Sequence, residues 1–580
     1  MTNKIDLFFS PESSFLLGGV SINPAYDSVT ALDENNLPYL TATAIKGALR
    51  MEFEAFVRGI GEETLCDFDA DIRGCTACLS CRLFGGGNEE GKLRFNAAVL
   101  ENPDEVLPQN VRRDLLEKGK RQGVSISRTL GKAKDKAYFT KLAFPNMKNI
   151  RNIVFKTGID IRRELDSTEK QYLDTFLALL GKTGIFMGSR KSVGLGYFTI
   201  RYELPGEFIR PNAVDYSRTG LKLFKVTLET LEPLLVGNTK NQYIIDTLPY
   251  IPASTLGGTI GFKLKEYGVD DGNLERMFIA NNTFSTLNCY LESPFPVPLS
   301  QRREKGKKEP VKDILLPDYI IKQAVEQGRF AKVESLYNAL YKKNNLRPAP
   351  ICQKPATFYN TKVAIGRELQ KSGDGLLYSM ELIQKGSRFQ GFIIGETWAA
   401  ETLLQIKELC MGGKRTRGFG KVRFTDISEM EITKLIDLDS AVDTTLRDLA
   451  GQYAVALPAD RRFFTLDLVS DFALKQDIPA GDRTFGRFIQ ETLFPGLEVT
   501  IEKSFLEIIR RGGYDFREKK AKPMMERIGA GSTLLVSVPL NRACTFIEKL
   551  NGMVTNSVEY KWDSTPLFRL NNHEHIQIWR

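Results

Sequence analysis

A glycine-rich stretch, Met187-Gly-Ser-Arg-Lys-Ser-Val-Gly-Leu-Gly196, decides the fold because it recurs as Met411-Gly-Gly-Lys-Arg-Thr-Arg-Gly-Phe-Gly420. Two further stretches recur in the same order. Leu37-Pro-Tyr-Leu-Thr-Ala-Thr-Ala-Ile-Lys-Gly47 returns as Leu248-Pro-Tyr-Ile-Pro-Ala-Ser-Thr-Leu-Gly-Gly258, and Val124-Ser-Ile-Ser-Arg-Thr-Leu-Gly-Lys132 returns as Val363-Ala-Ile-Gly-Arg-Glu-Leu-Gln-Lys371. One match would be chance, but three matches in one order indicate a duplicated unit.

Each unit begins with a strand pattern and continues into a helix pattern. In the first unit Ile5, Leu7 and Phe9 recur at every second position, as in a half-buried strand. After the Leu-Pro-Tyr turn, Thr43 is expected to cap an amphipathic helix. The Gly-rich stretch then leads into a closing strand. This order predicts an α+β fold of tandem ferredoxin-like domains.

The chain is too long for one hydrophobic core, so several domains are expected. The repeats place the first unit in residues 1–205, a linker in 206–219 and the second unit in 220–430. A polar connector, residues 431–461, leads to a C-terminal segment, residues 462–580. We interpret that segment as a degenerate half-domain completing the second unit, with its own Gly-rich signal at residues 528–532.

Composition is that of an ordinary globular protein, with 42% hydrophobic and 26% charged residues. The sequence has no apolar run of membrane-spanning length and no export signal at its start. We therefore expect a cytoplasmic protein without a membrane partner.

The Gly-rich loops carry cations where glycines let the backbone approach a ligand closely. These cations are Arg190 and Lys191 in the first loop and Lys414, Arg415 and Arg417 in the second. Such loops suit phosphate groups of RNA or DNA. The alternative is a tight turn with solvated charges. Neither loop has the spacing of a nucleotide-hydrolysing P-loop.

Two basic runs allow the same two interpretations. Residues 112–136 contain nine basic and three acidic side chains, and residues 302–308 read RREKGKK. Both are either solvated loops or loops that neutralise phosphates.

Four of the eight cysteines crowd together as Cys66-x8-Cys75-x2-Cys78-x2-Cys81. Thiolates at this spacing are typical of a tetrahedral zinc site, and an all-thiolate site favours a structural role. The alternative is a set of small buried cysteines.

These motifs together resemble the RAMP (repeat-associated mysterious protein) superfamily of CRISPR systems. Residues 1–205 resemble the backbone subunit of type III effectors, which binds guide RNA, cuts target RNA and carries a zinc insert, here about residues 60–95. Residues 220–580 are similar to the type III-D relative of the subunit that caps the guide's 5′ tag. The similar motifs there include Tyr250-Ile-Pro-Ala-Ser254 and Arg415-Thr-Arg-Gly-Phe-Gly420.

The resemblance implies a guide (CRISPR) RNA, a complementary target RNA and other effector subunits, including the large polymerase-like subunit, as partners. It leaves open whether the second half caps the guide or adds another backbone unit. The predicted RNA-binding residues are Lys46, Arg50, Arg128, Lys132, Arg190, Lys191, Ser192, Arg367, Lys371, Lys414, Arg415 and Arg417. Lys46 has Gly257 as its counterpart in the second unit, which weakens the expectation of a phosphate contact there.

Catalysis by histidine is not expected, because the only histidines are His573 and His575 at the C-terminus. Cleavage would need a carboxylate and Mg²⁺ or another divalent cation. The resemblance points to Asp27, which stands in the long loop before Leu37, as the catalytic residue of an endoribonuclease. Asp27 could instead be an ordinary turn residue. The chain would then be a non-catalytic scaffold, and a free-standing single-strand RNA-binding protein is a third possibility.

Overall fold

The computed structural model describes residues 4–19, 28–33, 35–61, 65, 75, 77–86, 90–110, 112, 118–127, 129–145, 153–204, 221–240, 244–275, 277–278, 284–304, 312–343, 346–365, 372–430, 442–469, 471–473, 490–491, 494, 496–515, 520–555 and 568–570. Several β-sheets with helices packed on them make a mixed α+β architecture. Within these ranges no helix is long and apolar enough to cross a membrane.

The first unit is built on a sheet in the order β4-β8-β1-β10-β9, with β1 antiparallel to both neighbours. A side sheet has the order β2-β3-β7-β6. The elements are β1 (Lys4–Pro11), β2 (Gly18–Gly19), β3 (Ser28–Thr30), α1 (Ala42–Ile60), α2 (Leu79–Phe84), β4 (Leu93–Phe95), β5 (Val99–Leu100), α3 (Pro103–Val106), β6 (Lys120–Ile126), β7 (Ala133–Leu142), β8 (Phe155–Ile161), α4 (Ser167–Thr183), β9 (Ile185–Phe186) and β10 (Tyr197–Glu203).

Helix α1 begins two residues earlier than its sequence predicts. Thr41 is the N-cap, and its side-chain oxygen accepts a hydrogen bond from the backbone N–H of Ala44. The prediction that Thr43 caps the helix is therefore wrong. The apolar face of α1 is buried as predicted and packs against α4, where the rings of Phe53 and Phe176 lie 5.2 Å apart.

The second unit repeats this plan. Its main sheet has the order β14-β21-β11-β23-β22 and its side sheet the order β12-β13-β20-β19. The elements are β11 (Leu221–Thr230), β12 (Gly237–Lys240), β13 (Ile244–Thr247), α5 (Ala253–Glu266), α6 (Asp271–Glu275), β14 (Ser285–Thr286), β15 (Tyr290–Leu291), β16 (Gln301–Glu304), β17 (Lys312–Asp313), α7 (Leu315–Glu326), α8 (Phe330–Tyr337), β18 (Leu346–Pro348), β19 (Thr357–Ile365), β20 (Ser372–Ile383), β21 (Arg388–Glu396), α9 (Thr397–Ile406), β22 (Glu408–Cys410) and β23 (Lys421–Met430).

The C-terminal segment has a sheet of its own in the order β26-β29-β24-β30, beside a hairpin sheet β25-β28-β27. Its elements are α10 (Val442–Gln452), β24 (Arg461–Leu468), β25 (Phe472–Ala473), β26 (Thr500–Phe505), β27 (Ile508–Asp515), β28 (Lys520–Ile528), β29 (Thr533–Pro539), α11 (Ala543–Thr555) and β30 (Phe568–Leu570). The order of these four strands corresponds to β4-β8-β1-β10 of the first unit.

The C-terminal segment packs on the second unit through a shared core and through backbone hydrogen bonds. Phe464 and Leu466 of β24 share a buried core with Leu223 and Phe392 of the second unit's sheet. Residues 528–532, which resemble a Gly-rich signal in sequence, join β28 to β29, whereas the Gly-rich loops of the two units precede the closing strand. They lie at the contact between the C-terminal segment and the second unit, where the carbonyl oxygen of Gly531 accepts a 2.8 Å hydrogen bond from the backbone N–H of Leu299.

Candidate RNA-binding and metal-binding sites

The first Gly-rich loop, residues 187–196, is a tight turn between β9 and β10. Gly196 has a φ of +80°, and a Cβ there would lie 2.0 Å from the carbonyl oxygen of Met187. Its backbone N–H donates a 2.8 Å hydrogen bond to the carbonyl of Ser14. Only glycine fits this position, so the frame of the loop is fixed by the backbone.

The cations of the first loop stand on its open side. Arg190 adopts a φ of 60° and precedes a single 3₁₀ turn, Lys191–Val193. Arg190 and Ser192 are exposed, and Val193 is 64% exposed. The Arg190 guanidinium carbon lies 4.4 Å from the centre of the Phe139 ring on β7, which connects the loop to the β6–β7 hairpin.

The second Gly-rich loop, residues 411–420, has the same frame. Gly420 has a φ of +83°, and a Cβ there would again lie 2.0 Å from a carbonyl oxygen, that of Met411. Its N–H donates to the carbonyl of Pro233 at 2.9 Å. Lys414 stands where Arg190 stands and has a φ of 59°. The sequence repeat is therefore a repeat of backbone conformation.

The surroundings of the second loop are different, because it packs on the first unit. Arg415 and Thr416 are buried. The Arg415 Nε lies 2.8 Å from Glu90 Oε1, and the Lys46 ammonium donates a 2.8 Å hydrogen bond to the Thr416 hydroxyl. Lys46 and Arg415 thus each contact the other unit of the same chain. We call this interface between the first unit and the second Gly-rich loop the joint.

Backbone contacts reinforce this joint. Arg417 forms a β-bridge with Phe95, the last residue of β4. Gly418 has a φ of +78°, and a Cβ there would lie 2.4 Å from the Cβ of Ala42 at the start of α1. The close approach of the two units thus requires glycine at this position.

Burial and neighbouring charges shift the pKa values of Lys46 and Glu90 at the joint. Burial, together with repulsion by Arg417 and Arg50, lowers the pKa of Lys46 to about 7. Burial alone would raise the pKa of Glu90, but Arg162 and Arg415 hold it below its ordinary value. Glu90 is therefore the anion that balances two guanidiniums from different units.

Three cysteines form a candidate metal centre beside α2. The Sγ atoms of Cys75, Cys78 and Cys81 all lie within 4.8 Å of one another. Backbone N–H groups of Cys78 and Cys81 donate to Sγ of Cys75 and Cys78 at 3.2 and 3.4 Å, which fixes the positions of these two sulfur atoms. A Cβ at Gly86 would lie 2.5 Å from Cys81 Sγ, so glycine keeps the cradle open. The cluster could hold a metal ion with three sulfur ligands.

Arg50 faces this cluster. Its Nη2 donates to Cys81 Sγ at 3.3 Å, its Nη1 donates to the carbonyl of Gly85 at 2.6 Å, and its Nε pairs with Glu54 at 2.8 Å. Lys46 and Arg50, both predicted to bind RNA, lie one helical turn apart. They instead contact Thr416 and Cys81, because a different neighbour packs against each turn of α1.

Several predicted site residues lie outside the described ranges, so no geometry is attached to them. These are Asp27, Cys66, Arg128, Arg367 and Lys371. The remaining predicted cations, Lys132, Lys191, Lys414 and Arg417, have exposed or partly exposed side chains.

The sequence repeat also corresponds to a known family. A sequence profile of the RAMP superfamily matches residues 9–199 and again residues 227–423, together more than half of the chain. The chain belongs to the RAMP superfamily. The two matched segments correspond to the two units, and each contains one RAMP Gly-rich loop.

Solved structures with partial similarity include three chains of Type III-B Cmr-beta complexes. A chain of the apo state shows 15% identity over 36% of this chain and 98% of its own length, with a TM-score of 0.22. A chain of the complex bound to cognate target RNA and AMPPnP shows 15% identity over 56% and 88%, with a TM-score of 0.29. A chain of the complex bound to cognate target RNA shows 17% identity over 35% and 96%, with a TM-score of 0.22.

No curated protein sequence matches the chain. The assignment to the RAMP superfamily depends on the two profile matches and not on the structural superpositions.

Sequence reasoning missed Arg94, a buried residue of this RAMP protein at the same joint. Its guanidinium pairs with Asp160 of the first unit and with Glu232 of the second. Arg94 sits on a three-residue strand with no motif around it, and its two partners lie 66 and 138 residues away in sequence. Only the fold brings these charges together.

Proposed function

We propose that this RAMP protein is a guide-RNA-binding subunit of a type III CRISPR-Cas antiviral effector complex in the cytoplasm. In this proposal the units are tandem ferredoxin-like domains, and the cysteine-rich insert holds a structural Zn²⁺ through Cys66, Cys75, Cys78 and Cys81. The observation that carries it is the first Gly-rich loop, whose rigid frame holds the exposed Arg190 beside the half-buried Lys191.

The chemistry of this loop suits an RNA backbone. Arg190 offers a planar set of donors that matches a phosphate, and Lys191 adds a second charge next to it. Lys132, exposed in the turn of the adjacent β6–β7 hairpin, extends the basic surface. We include Arg128, Arg367, Lys371, Lys414 and Arg417 in the proposed RNA contacts as well.

Lys46, Arg50 and Arg415 contribute in another way, because their charged groups contact Thr416, Cys81 and Glu90. In the proposal Lys46 and Arg415 shape the RNA-binding surface by holding the units together, and Arg50 does so by supporting the cysteine cluster, rather than by touching phosphates.

Two measurements test the proposal. The chain purified with the products of neighbouring genes should carry a small RNA whose sequence is that of a CRISPR guide. The double variant Arg190→Ala/Lys191→Ala should bind guide RNA more weakly and reduce the slope of log K against log salt by about 1.4, the value for two lost single-strand phosphate contacts. The matched control Lys170→Ala/Lys182→Ala, on the exposed side of α4, should change neither. An unchanged slope in the loop variant contradicts the proposal.

Cleavage of guide-complementary target RNA is the second part of the proposal. We assign it to Asp27, whose carboxylate would hold Mg²⁺ or another divalent cation beside the scissile phosphate. Asp27→Ala should then abolish a metal-dependent cut while guide binding persists. If every cut persists, the alternative holds, and the chain is a non-catalytic scaffold that organises RNA and partner subunits, including the large polymerase-like subunit.

A further inference from the structure

The second unit carries an insertion between β15 and β19, here residues 292–356. It contains the small sheet β17-β16-β18 and the helices α7 and α8. Its buried face shares a core with α10 and with Phe463 of the C-terminal segment. The insertion is therefore firmly anchored, and its outer face is available for binding.

Three aromatic rings follow one another along the outer side of α8 and the π-helical turn after it. The rings of Phe330 and Tyr337 lie 5.5 Å apart, and those of Tyr337 and Tyr341 lie 5.2 Å apart. Phe330 is 40% exposed and Tyr341 is 51% exposed. Aromatic rings that stand in a row at a surface are a stacking platform for unpaired bases.

Tyr341 is held in place by its hydroxyl group. That group donates a hydrogen bond to the buried carboxylate of Asp318, which also pairs with Lys503 from β26. The half-exposed ring thus has a fixed orientation, and little side-chain entropy remains to be lost when a ligand binds.

Arginines of the small sheet lie near the Tyr341 ring. Arg303 on β16 stands directly opposite Arg347 on β18, and both are exposed. Like charges at directly paired positions repel, so an anion between them would be stabilising. The neighbouring Arg302 is fixed by a 3.1 Å hydrogen bond to the carbonyl of Gln301 and lies 5.1 Å from the ring centre of Phe505.

The Tyr341 ring and two of these arginines, Arg302 and Arg347, line one cavity of about 290 Å³. It is lined by Arg302, Ile314, Leu340, Tyr341, Leu346 and Arg347. Apolar side chains form part of the wall, and two guanidiniums and one phenol supply the polar groups. The volume is at the small end for ligand pockets, which suits one nucleotide rather than a larger ligand.

We propose that this cavity binds one nucleotide of a single-stranded RNA, with its base against Tyr341 and its phosphate at Arg347, opposite Arg303. A base in a duplex cannot take this position because its faces are already stacked. The site goes beyond the guide-binding proposal, since it lies in a different unit from the Arg190 loop and does not require it.

The test uses the full chain in the Arg190→Ala/Lys191→Ala background, so that the first loop does not contribute. Binding of a short fluorescent single-stranded RNA should weaken roughly 5- to 100-fold on Tyr341→Ala, the effect of losing one base stack. Tyr341→Phe should keep most of the affinity, and ultraviolet crosslinking of the RNA should map to residues 338–343. The control Lys332→Ala, exposed on the opposite side of α8, should have no effect.

Three results would overturn the proposal. They are unchanged affinity in Tyr341→Ala, equal affinity for duplex RNA, and equal competition by an acidic peptide, which would make the cavity a general anion site. If Tyr341→Ala does not fold, Arg347→Ala at an exposed position replaces it and should weaken binding and flatten its salt dependence. Because the background lacks the cations of the first loop, failure here is distinct from failure of the guide-binding proposal.

Discussion

Arg415 and Glu90, which lie 325 residues apart in the sequence, form an ion pair with an Nε–Oε1 distance of 2.8 Å. Glu90 also pairs with Arg162 at 2.6 Å. The pair connects the second Gly-rich loop to the first unit. One of two loops with the same backbone frame thus belongs to a joint, and the other faces solvent.

Arg415→Ala should destabilise the protein by about 1–3 kcal/mol, because the half-buried Glu90 keeps only one of its two guanidiniums. Urea unfolding followed by circular dichroism measures this. The neighbouring Arg417→Ala removes an exposed side chain and leaves the backbone bridge to Phe95, so it should cost under about 0.5 kcal/mol. Equal effects of the two variants would argue against the joint.

Lys46 should make stability depend on pH. Its pKa falls from 10.5 to about 7 in the folded protein, so between these values the unfolded chain binds more protons than the folded one. Stability contributed at this site therefore rises as pH increases from 7 to about 10. Relative to Lys46→Met, the wild-type protein should become more stable over that range in parallel urea titrations. A constant difference between the two proteins would contradict this assignment.

The cysteine cluster should bind about one zinc per chain. Elemental analysis of protein purified under reducing, chelator-free conditions measures it. Cys78→Ser should lose the metal, whereas Cys544→Ser, at an exposed position far from the cluster in sequence, should retain it. Absence of zinc from the wild-type protein would leave the cysteines as a purely structural group.

Arg50→Ala should weaken zinc binding by about tenfold or more, because its guanidinium orients the sulfur of Cys81 and the loop at Gly85. Competition with a colorimetric chelator measures the affinity. Arg58→Ala, exposed near the end of the same helix, is the control. If Arg50→Ala instead lowers only RNA affinity and leaves zinc affinity unchanged, Arg50 is an RNA-binding residue as its sequence position first indicated.

The sequence predicted those features that depend on local pattern. Alternation in residues 5–9, the apolar face of α1 and the repeated Gly-rich frame all appear in the structure, because period and glycine content constrain the backbone directly. The cap at Thr41 was missed by two residues, since either threonine satisfies the composition of a helix start.

The sequence pattern could not predict which residues from distant parts of the chain contact one another. A basic residue in a Gly-rich loop has the same sequence signal whether it meets a phosphate, as proposed for Arg190, or a carboxylate, as Arg415 does. The same holds for the Phe330, Tyr337 and Tyr341 rings, whose spacing fits a buried helix face as well as an exposed one. Only packing of the insertion decides which side faces outward.

The joint has a consequence for stoichiometry. Two separate proteins joined by a few ion pairs would associate only at sufficient concentration, and their ratio would vary with expression. Here both halves of the joint belong to one polypeptide, so the second loop meets the Glu90 surface at a high effective concentration that dilution cannot change. Every assembly that incorporates this chain therefore receives the two units in equal number and in one fixed order.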